Sequence, residues 1–265
     1  NKNKTDFSAL LTKIIKNEKE EKIELHNEGE VKEVLKNLEG AKYKVDKISY
    51  RDTQRKPQPP FITSTLQREA SSKLGYGVQK TMQIAQKLYE GIELQDGSVG
   101  LITYMRTDST RISDDAQTAC KDFIIKNFGE DYYPKTPNVY TKKKQNTQDA
   151  HEAIRPSYIE HTPESIKKYL TSEQYKLYKL IWDRFTASQM TNAKVKNLTI
   201  EIEANNYIFR MGSSKIVFDG FSKLYNDEET INAQKFPDLE VGDILNLKKL
   251  NPEQHFTQPP ARYSE

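Results

Sequence analysis

The sequence predicts an α+β fold in which a mainly helical domain is inserted into a β-rich one. Strand-like alternation lies near both ends of the chain, helical spacing runs through the middle, and Lys56-Pro57-Gln58-Pro59-Pro60 interrupts both patterns. Proline removes a backbone donor and fixes φ, so that run can continue neither a strand nor a helix. The boundaries follow from it: residues 1–62 with 191–265 form the β-rich domain, and residues 63–190 form the helical insertion.

In chain order, Phe7 to Ile15 and Lys42 to Tyr50 alternate as strands, and between them Glu28 to Leu38 reads as a helix behind Asn27, whose side chain suits an N-cap. Thr63 or Ser64 can cap a helix through Lys73. Gly75 and Gly77 break it, and Val78 to Tyr89 makes a second helix ended by Gly91, a pair resembling a helix-turn-helix. Val99 to Tyr104 is apolar and short enough for a strand; Ser113 then caps a helix, Asp114 to Asn127, closed by Gly129. From Glu164 to Gln189 the spacing is helical, with Ile166, Tyr169, Leu170, Leu177, Leu180, Ile181 and Phe185 as a core stripe. Val195 to Glu203, Tyr207 to Met211, Lys215 to Phe218 and Asp243 to Leu250 again read as strands. No internal repeat is evident, and the polar run Lys142 to Gln148 reads as an exposed, mobile loop.

Composition narrows the function classes without selecting one. The 265 residues are 35% hydrophobic and 30% charged, enough for one or two ordinary cores. Forty-one Lys+Arg against 38 Asp+Glu leave a net charge of +3, which is compatible with DNA but too mild to require it. Cys120 is the only cysteine, which excludes a disulfide framework or a cysteine zinc site built from this chain and suits a reducing, cytoplasmic setting. No run approaches the roughly 18 apolar residues of a membrane span, and Asn1-Lys2-Asn3-Lys4 lacks the apolar core of a signal peptide. A start without Met and an end at Arg262-Tyr263-Ser264-Glu265 lead us to expect a piece of a larger protein.

Chemistry concentrates in a few segments. In Leu101-Ile102-Thr103-Tyr104-Met105-Arg106-Thr107-Asp108-Ser109-Thr110, polar groups crowd behind an apolar stretch. If the backbone stays extended, Tyr104 and Arg106 share one face and Met105 takes the other. A phenolate can attack phosphorus while the guanidinium stabilises charge on the phosphate oxygens. A phenol, with an ordinary pKa of about 10, needs further help at neutral pH. The competing reading has Tyr104 packing and Arg106 paired with Asp108, and spacing alone does not choose among fifteen tyrosines.

In Asp149-Ala150-His151-Glu152-Ala153-Ile154-Arg155-Pro156-Ser157, a helical turn would set His151 and Arg155 on one face to hold a DNA phosphate. Arg155 paired with Glu152, with His151 capping, is the alternative. A metal site at His151 and Glu152 lacks further ligands, since His26 and His161 stand in unrelated contexts, and no metal is expected on this chain. Pro60-Phe61-Ile62-Thr63-Ser64-Thr65-Leu66-Gln67 places hydroxyls at a helix N-terminus, suited to an anion or to capping alone.

In order and spacing these segments resemble the signatures of the type IA DNA topoisomerases, with Tyr-Met-Arg resembling the bacterial enzyme I form. The ending His255-Phe256-Thr257-Gln258-Pro259-Pro260-Ala261-Arg262-Tyr263-Ser264-Glu265 looks like that family's junction into its next domain. The resemblance implies a torus-shaped enzyme that relaxes negatively supercoiled DNA. It would cut one strand through a 5′-phosphotyrosine link, pass another strand through the gap and reseal without ATP. It implies Tyr104 as nucleophile and Arg106 as supporting arginine, with His151, Arg155, Thr103 and Asp108 in DNA binding or active-site support. It further implies a catabolite-activator-like helical domain on a β-rich hinge, and partners in DNA, chiefly single-stranded, and in the enzyme's own Toprim domain. Mg²⁺ would be held by Toprim acidic residues that this chain lacks, as it lacks the zinc-binding repeats. A monomer, nucleoid-associated and inactive in isolation, is expected. Two rival readings are a non-catalytic DNA-binding module built on the two helices around Gly75, and the topoisomerase part of a reverse gyrase, although no P-loop is present.

Overall fold

The computed structural model describes residues 6–95, 97–140, 151–225, 237–260 and 262. The run Lys142 to Gln148, with Asp149 and Ala150, lies outside them. The fold is α+β, as the residue pattern predicts. Strands β1 (Leu10–Lys16) and β2 (Lys19–Lys22), helix α1 (Glu28–Asn37) and strand β3 (Tyr43–Arg55) come first. Helices α2 (Thr63–Leu74) and α3 (Val78–Glu90), the hairpin β4 (Ile92–Leu94) and β5 (Gly97–Val99), and α4 (Asp114–Phe128) follow. Then come the single turn α5 (Pro163–Ile166), α6 (Ser172–Ser188), the long strands β6 (Ala193–Ala204) and β7 (Tyr207–Phe218), and the short β8 (Ile244–Leu245).

The chain divides into two compact units. One comprises Asn1–Arg51, Lys196–Lys215 and Ala233–Glu265; the other comprises Asp52–Val195 and Ile216–Asn232. The sheet order is β2-β1-β7-β6-β3-β8. Asn17 and Glu18, both at positive φ (49° and 61°), turn β1 tightly into β2, as a two-residue hairpin loop demands. In the first unit alternate residues of β6 (Leu198, Ile200, Ile202, Ala204) and β7 (Tyr207, Phe209, Met211) face a core completed by Tyr43 and Val45. Helix α1 covers it with Val34 and Leu38, and its N-terminus is closed by Asn27, whose Oδ1 accepts from the Glu30 N–H at 3.0 Å.

In the second unit α6 supplies the central apolar face, Leu177, Tyr178, Ile181 and Phe185, against Phe61, Leu66, Leu88, Leu101, Ile102 and Ile154. Gly75, left-handed at φ 69°, ends α2, and its N–H donates to the Ser71 carbonyl at 3.0 Å, so α3 starts in a new direction.

Several element boundaries differ from those the sequence suggests, each for a physical reason. The helical stretch from Glu164 is not continuous. Thr171 is extended and caps α6, its Oγ1 accepting from the Gln174 N–H at 3.2 Å while Gln174 Oε1 accepts from the Thr171 N–H at 2.9 Å. Two strands expected at Tyr207 and Lys215 are one, β7, because Gly212 simply continues the ladder. The apolar run Val99 to Tyr104 is not a strand: β5 ends at Val99, and beyond it Ile102 forms an isolated bridge with Pro156. β8 covers only Ile244 and Leu245.

Candidate active site

The chemistry-bearing segments, far apart in sequence, meet within the second unit. Phe61 bridges Ile154, the Ile154 N–H donating to the Phe61 carbonyl at 2.8 Å. Thr103 clamps the extended segment 153–156: its N–H donates to the Arg155 carbonyl at 3.0 Å, and its Oγ1 donates to the Ala153 carbonyl at 2.7 Å and accepts from the Arg155 N–H at 3.0 Å. Thr63 ties the far side. Its N–H donates to the Thr107 carbonyl at 2.9 Å, its Oγ1 accepts from the Thr107 N–H at 2.9 Å, and the same hydroxyl donates to the Met105 carbonyl at 2.8 Å. Thr63 is therefore more than a capping residue; the helix N-cap is Ile62, whose N–H donates to Thr65 Oγ1 at 3.0 Å.

This network sets the side-chain alternation through the tyrosine segment. Met105 is 1% exposed, Thr107 and Ser109 are buried, and Arg106 and Asp108 are exposed. The backbone bends at Met105 and Arg106 instead of running straight. The Tyr104 ring is half-buried between two others: Tyr89 at 5.4 Å between centroids, inclined 64°, and His151 at 5.0 Å, inclined 44°. Beside it an open groove of about 440 Å³ is lined by Ile62, Thr63, Ser64, Gln67, Arg106, Thr107, Asp108, Ser109 and His151.

The structure therefore brings Arg106, Asp108 and His151 to one groove next to Tyr104, and puts Thr103 and Arg155 behind it as framework. Among the described residues Arg106 forms no ion pair with Asp108, which leaves its planar fork open to an anion. Arg155 is engaged: Nε donates to Glu152 Oε2 at 2.8 Å and Nη1 to the Pro156 carbonyl at 2.9 Å. Burial opposes ionisation of the Glu152 carboxyl, but the Arg155 bond and charge outweigh it and hold the group below its ordinary range. The expected helical turn carrying His151 and Arg155 on one face is absent. Residues 153–156 are extended and bridged on both sides, so His151 faces the groove while Arg155 turns to Glu152 and Ser113. Sequence reasoning missed Tyr89, read only as a helix end, because its placement beside Tyr104 is tertiary and left no local signal; Ser64 and Gln67, from the helix N-terminus that the sequence marked as suited to an anion, line the groove.

Mg²⁺ takes oxygen donors, usually carboxylates, in near-octahedral array. The groove offers one carboxylate, Asp108, beside the cationic Arg106, and among the described residues no group of three or more His, Cys, Asp or Glu could hold a metal. The lining does not fit a Mg²⁺ site of its own.

The bacterial DNA topoisomerase model matches residues 3–265. DNA topoisomerase 1 of Rickettsia felis is 44% identical over 271 residues, covering 100% of this chain and 35% of the relative; that of Rickettsia bellii is 45% identical, covering 100% and 34%. Full-length topoisomerase I from Thermotoga maritima, solved in a monoclinic crystal form, aligns with TM-score 0.70 at 39% identity, over 89% of this chain and 37% of its own. The chain belongs to the DNA topoisomerase family. It spans about a third of the length of the relatives it matches.

Proposed function

We propose that the chain supplies the DNA-cleaving tyrosine of a type IA topoisomerase that relaxes negatively supercoiled DNA. The observation that carries this reading is that Arg106 and His151 line one open groove and the His151 ring lies 5.0 Å from that of Tyr104. Tyr104 Oη attacks the backbone phosphorus, the P–O3′ bond breaks, and the strand's 5′ phosphate becomes an ester of the tyrosine. The released 3′ hydroxyl later attacks the same phosphorus and expels the phenolate, so one phosphoester replaces another and no ATP is needed. Arg106 faces the charge developing on the phosphate oxygens, and His151 and Asp108 adjoin the strand. Thr103 and Arg155 hold the backbone that presents these groups. Mg²⁺ would be held by a Toprim domain elsewhere in the longer protein and would there supply charge stabilisation to the phosphate.

In this reading the second unit, residues 52–195 with 216–232, presents the tyrosine, and the first, residues 1–51 with 196–215 and 233–265, acts as the hinge that opens the gate. The partners are single-stranded DNA and the Toprim domain, and the enzyme works as a cytoplasmic, nucleoid-associated monomer. The chain alone does not cleave. The test is a denaturing gel with 3′-labelled single-stranded DNA, Mg²⁺ and a separately supplied Toprim-containing part. A labelled adduct that disappears in Tyr104→Phe is the expected result. No adduct, although the two parts demonstrably associate, would refute this assignment and favour a DNA-binding role without chemistry.

A further inference from the structure

Tyr89 sits in the last turn of α3, yet at 41% exposure it is not a core residue. Its ring meets that of Tyr104 near edge-to-face, and the His151 ring lies against Tyr104 as well. The backbone under Tyr89 is fixed to the tyrosine segment: the Leu101 N–H donates to the Leu88 carbonyl at 2.7 Å. Gly100 comes so close that a Cβ there would stand 2.6 Å from the Tyr89 carbonyl oxygen. Tyr89 therefore projects from a helix locked to the segment that leads into Tyr104, while Tyr104 precedes a bend in the backbone.

A tyrosine side chain chooses among staggered wells, and in-line attack on phosphorus needs the phenol oxygen in one of them. An aromatic edge-to-face contact biases such a choice roughly 2- to 12-fold. We propose that Tyr89 is a positioning residue: its ring sets the rotamer of Tyr104 and so delivers the phenol oxygen to the groove. It exchanges no proton and touches no DNA. The proposal rests on Tyr104 being the nucleophile.

Adduct formation is measured with the chain, Mg²⁺ and the Toprim-containing part, alongside affinity for single-stranded DNA. Tyr89→Ala, and Tyr89→Leu as a variant that keeps apolar volume on the helix, slow adduct formation by roughly 2- to 12-fold, the bias that the lost edge-to-face contact supplied. DNA affinity stays the same, and Tyr89→Phe, which retains the ring, restores the rate. Crystal structures of the variants give a readout independent of cleavage: Tyr104 holds one rotamer with Phe at position 89 and leaves it with Ala or Leu. A wild-type rate in Tyr89→Ala overturns the proposal, as does an unchanged Tyr104 rotamer. A loss of DNA affinity parallel to the loss of rate overturns it too, by making Tyr89 a DNA contact. If the wild-type chain forms no adduct, the assignment of Tyr104 fails, and the rotamers alone decide whether Tyr89 positions it.

Discussion

Thr63→Val replaces a hydroxyl by a methyl of nearly the same shape, and it tests the framework of the groove more sharply than a change to any exposed group. The lost Oγ1 accepts from the Thr107 N–H at 2.9 Å and donates to the Met105 carbonyl at 2.8 Å. Thr107 is buried and Met105 is 1% exposed, so neither backbone group gains free access to water. A buried group left without a partner costs about 1–3 kcal/mol. The carbonyl suffers less than the amide, and about 2 kcal/mol in all is expected. The single tryptophan, Trp182, is buried in the same unit, its Nε1–H donating to the Ile159 carbonyl at 3.0 Å, so its fluorescence follows this unit's unfolding in urea. With a slope of about 2 kcal/mol per molar the midpoint falls by roughly 1 M. Thr63→Ser, which keeps the oxygen, recovers most of the loss. A Val variant within about 0.5 kcal/mol of wild type would show that water satisfies Thr107 and Met105 unaided, and that Thr63 does not hold the segment.

Glu69 and Arg184 form a buried pair, Nη1 to Oε1 at 3.2 Å, with Arg184 only 3% exposed; Glu69→Gln leaves that guanidinium uncompensated and should destabilise the unit by about 3–5 kcal/mol in urea unfolding. Burial opposes ionisation of the Glu69 carboxyl, but the Tyr225 hydroxyl and the Arg184 and Lys73 charges outweigh it and lower its pKa. Its stabilising contribution is thus present above the ordinary carboxylate pKa and lost as pH falls through the lowered one, so the gap between wild type and Glu69→Gln should close in acid; a gap constant to pH 3 would refute the linkage. Cys120 is fully buried, and burial raises its thiol pKa. A thiol reagent should therefore modify it only as fast as the second unit opens, and rapid labelling of the native chain would contradict that burial.

Much of the local structure was legible because it is decided by neighbours in sequence. Asn27 and Ser113 cap the helices that follow them, and Gly75, Gly91 and Gly129 end others, as their side-chain chemistry and freedom of φ dictate. The break before α6 was legible too, in Thr171 and Gln174 at capping-box spacing, but the apolar stripe on either side masks it. The segment from His151 to Ser157 was not legible. Pro156 can end a helix or sit in an extended segment, and the choice is made by the bridges to Phe61 and Ile102, about ninety and fifty residues away by the spacing of local rules that cannot see them. Tyr104 stood out from the other tyrosines through resemblance and not through spacing, whereas the ring of Tyr89 beside it became visible only in three dimensions.

The groove divides its groups by what holds them. Its backbone is stitched by Thr63 and Thr103, and behind Phe61 the Arg184 guanidinium lies 4.8 Å from the ring centroid while its Nε donates to the Pro59 carbonyl at 2.7 Å. Arg184 thus links the entry to α2 with α6, and Glu69 compensates its charge from within α2. Arg106 stands outside this arrangement, exposed and without an ion pair among the described residues. The phosphate-binding role proposed for this groove gains from that contrast. The framework's entropy is lost on folding, before DNA arrives, and the one guanidinium left unneutralised in the groove need not break an existing pair to reach the anion. Arg155 shows the opposite arrangement: it is already paired with Glu152, and that pair would have to be broken before it could meet an anion.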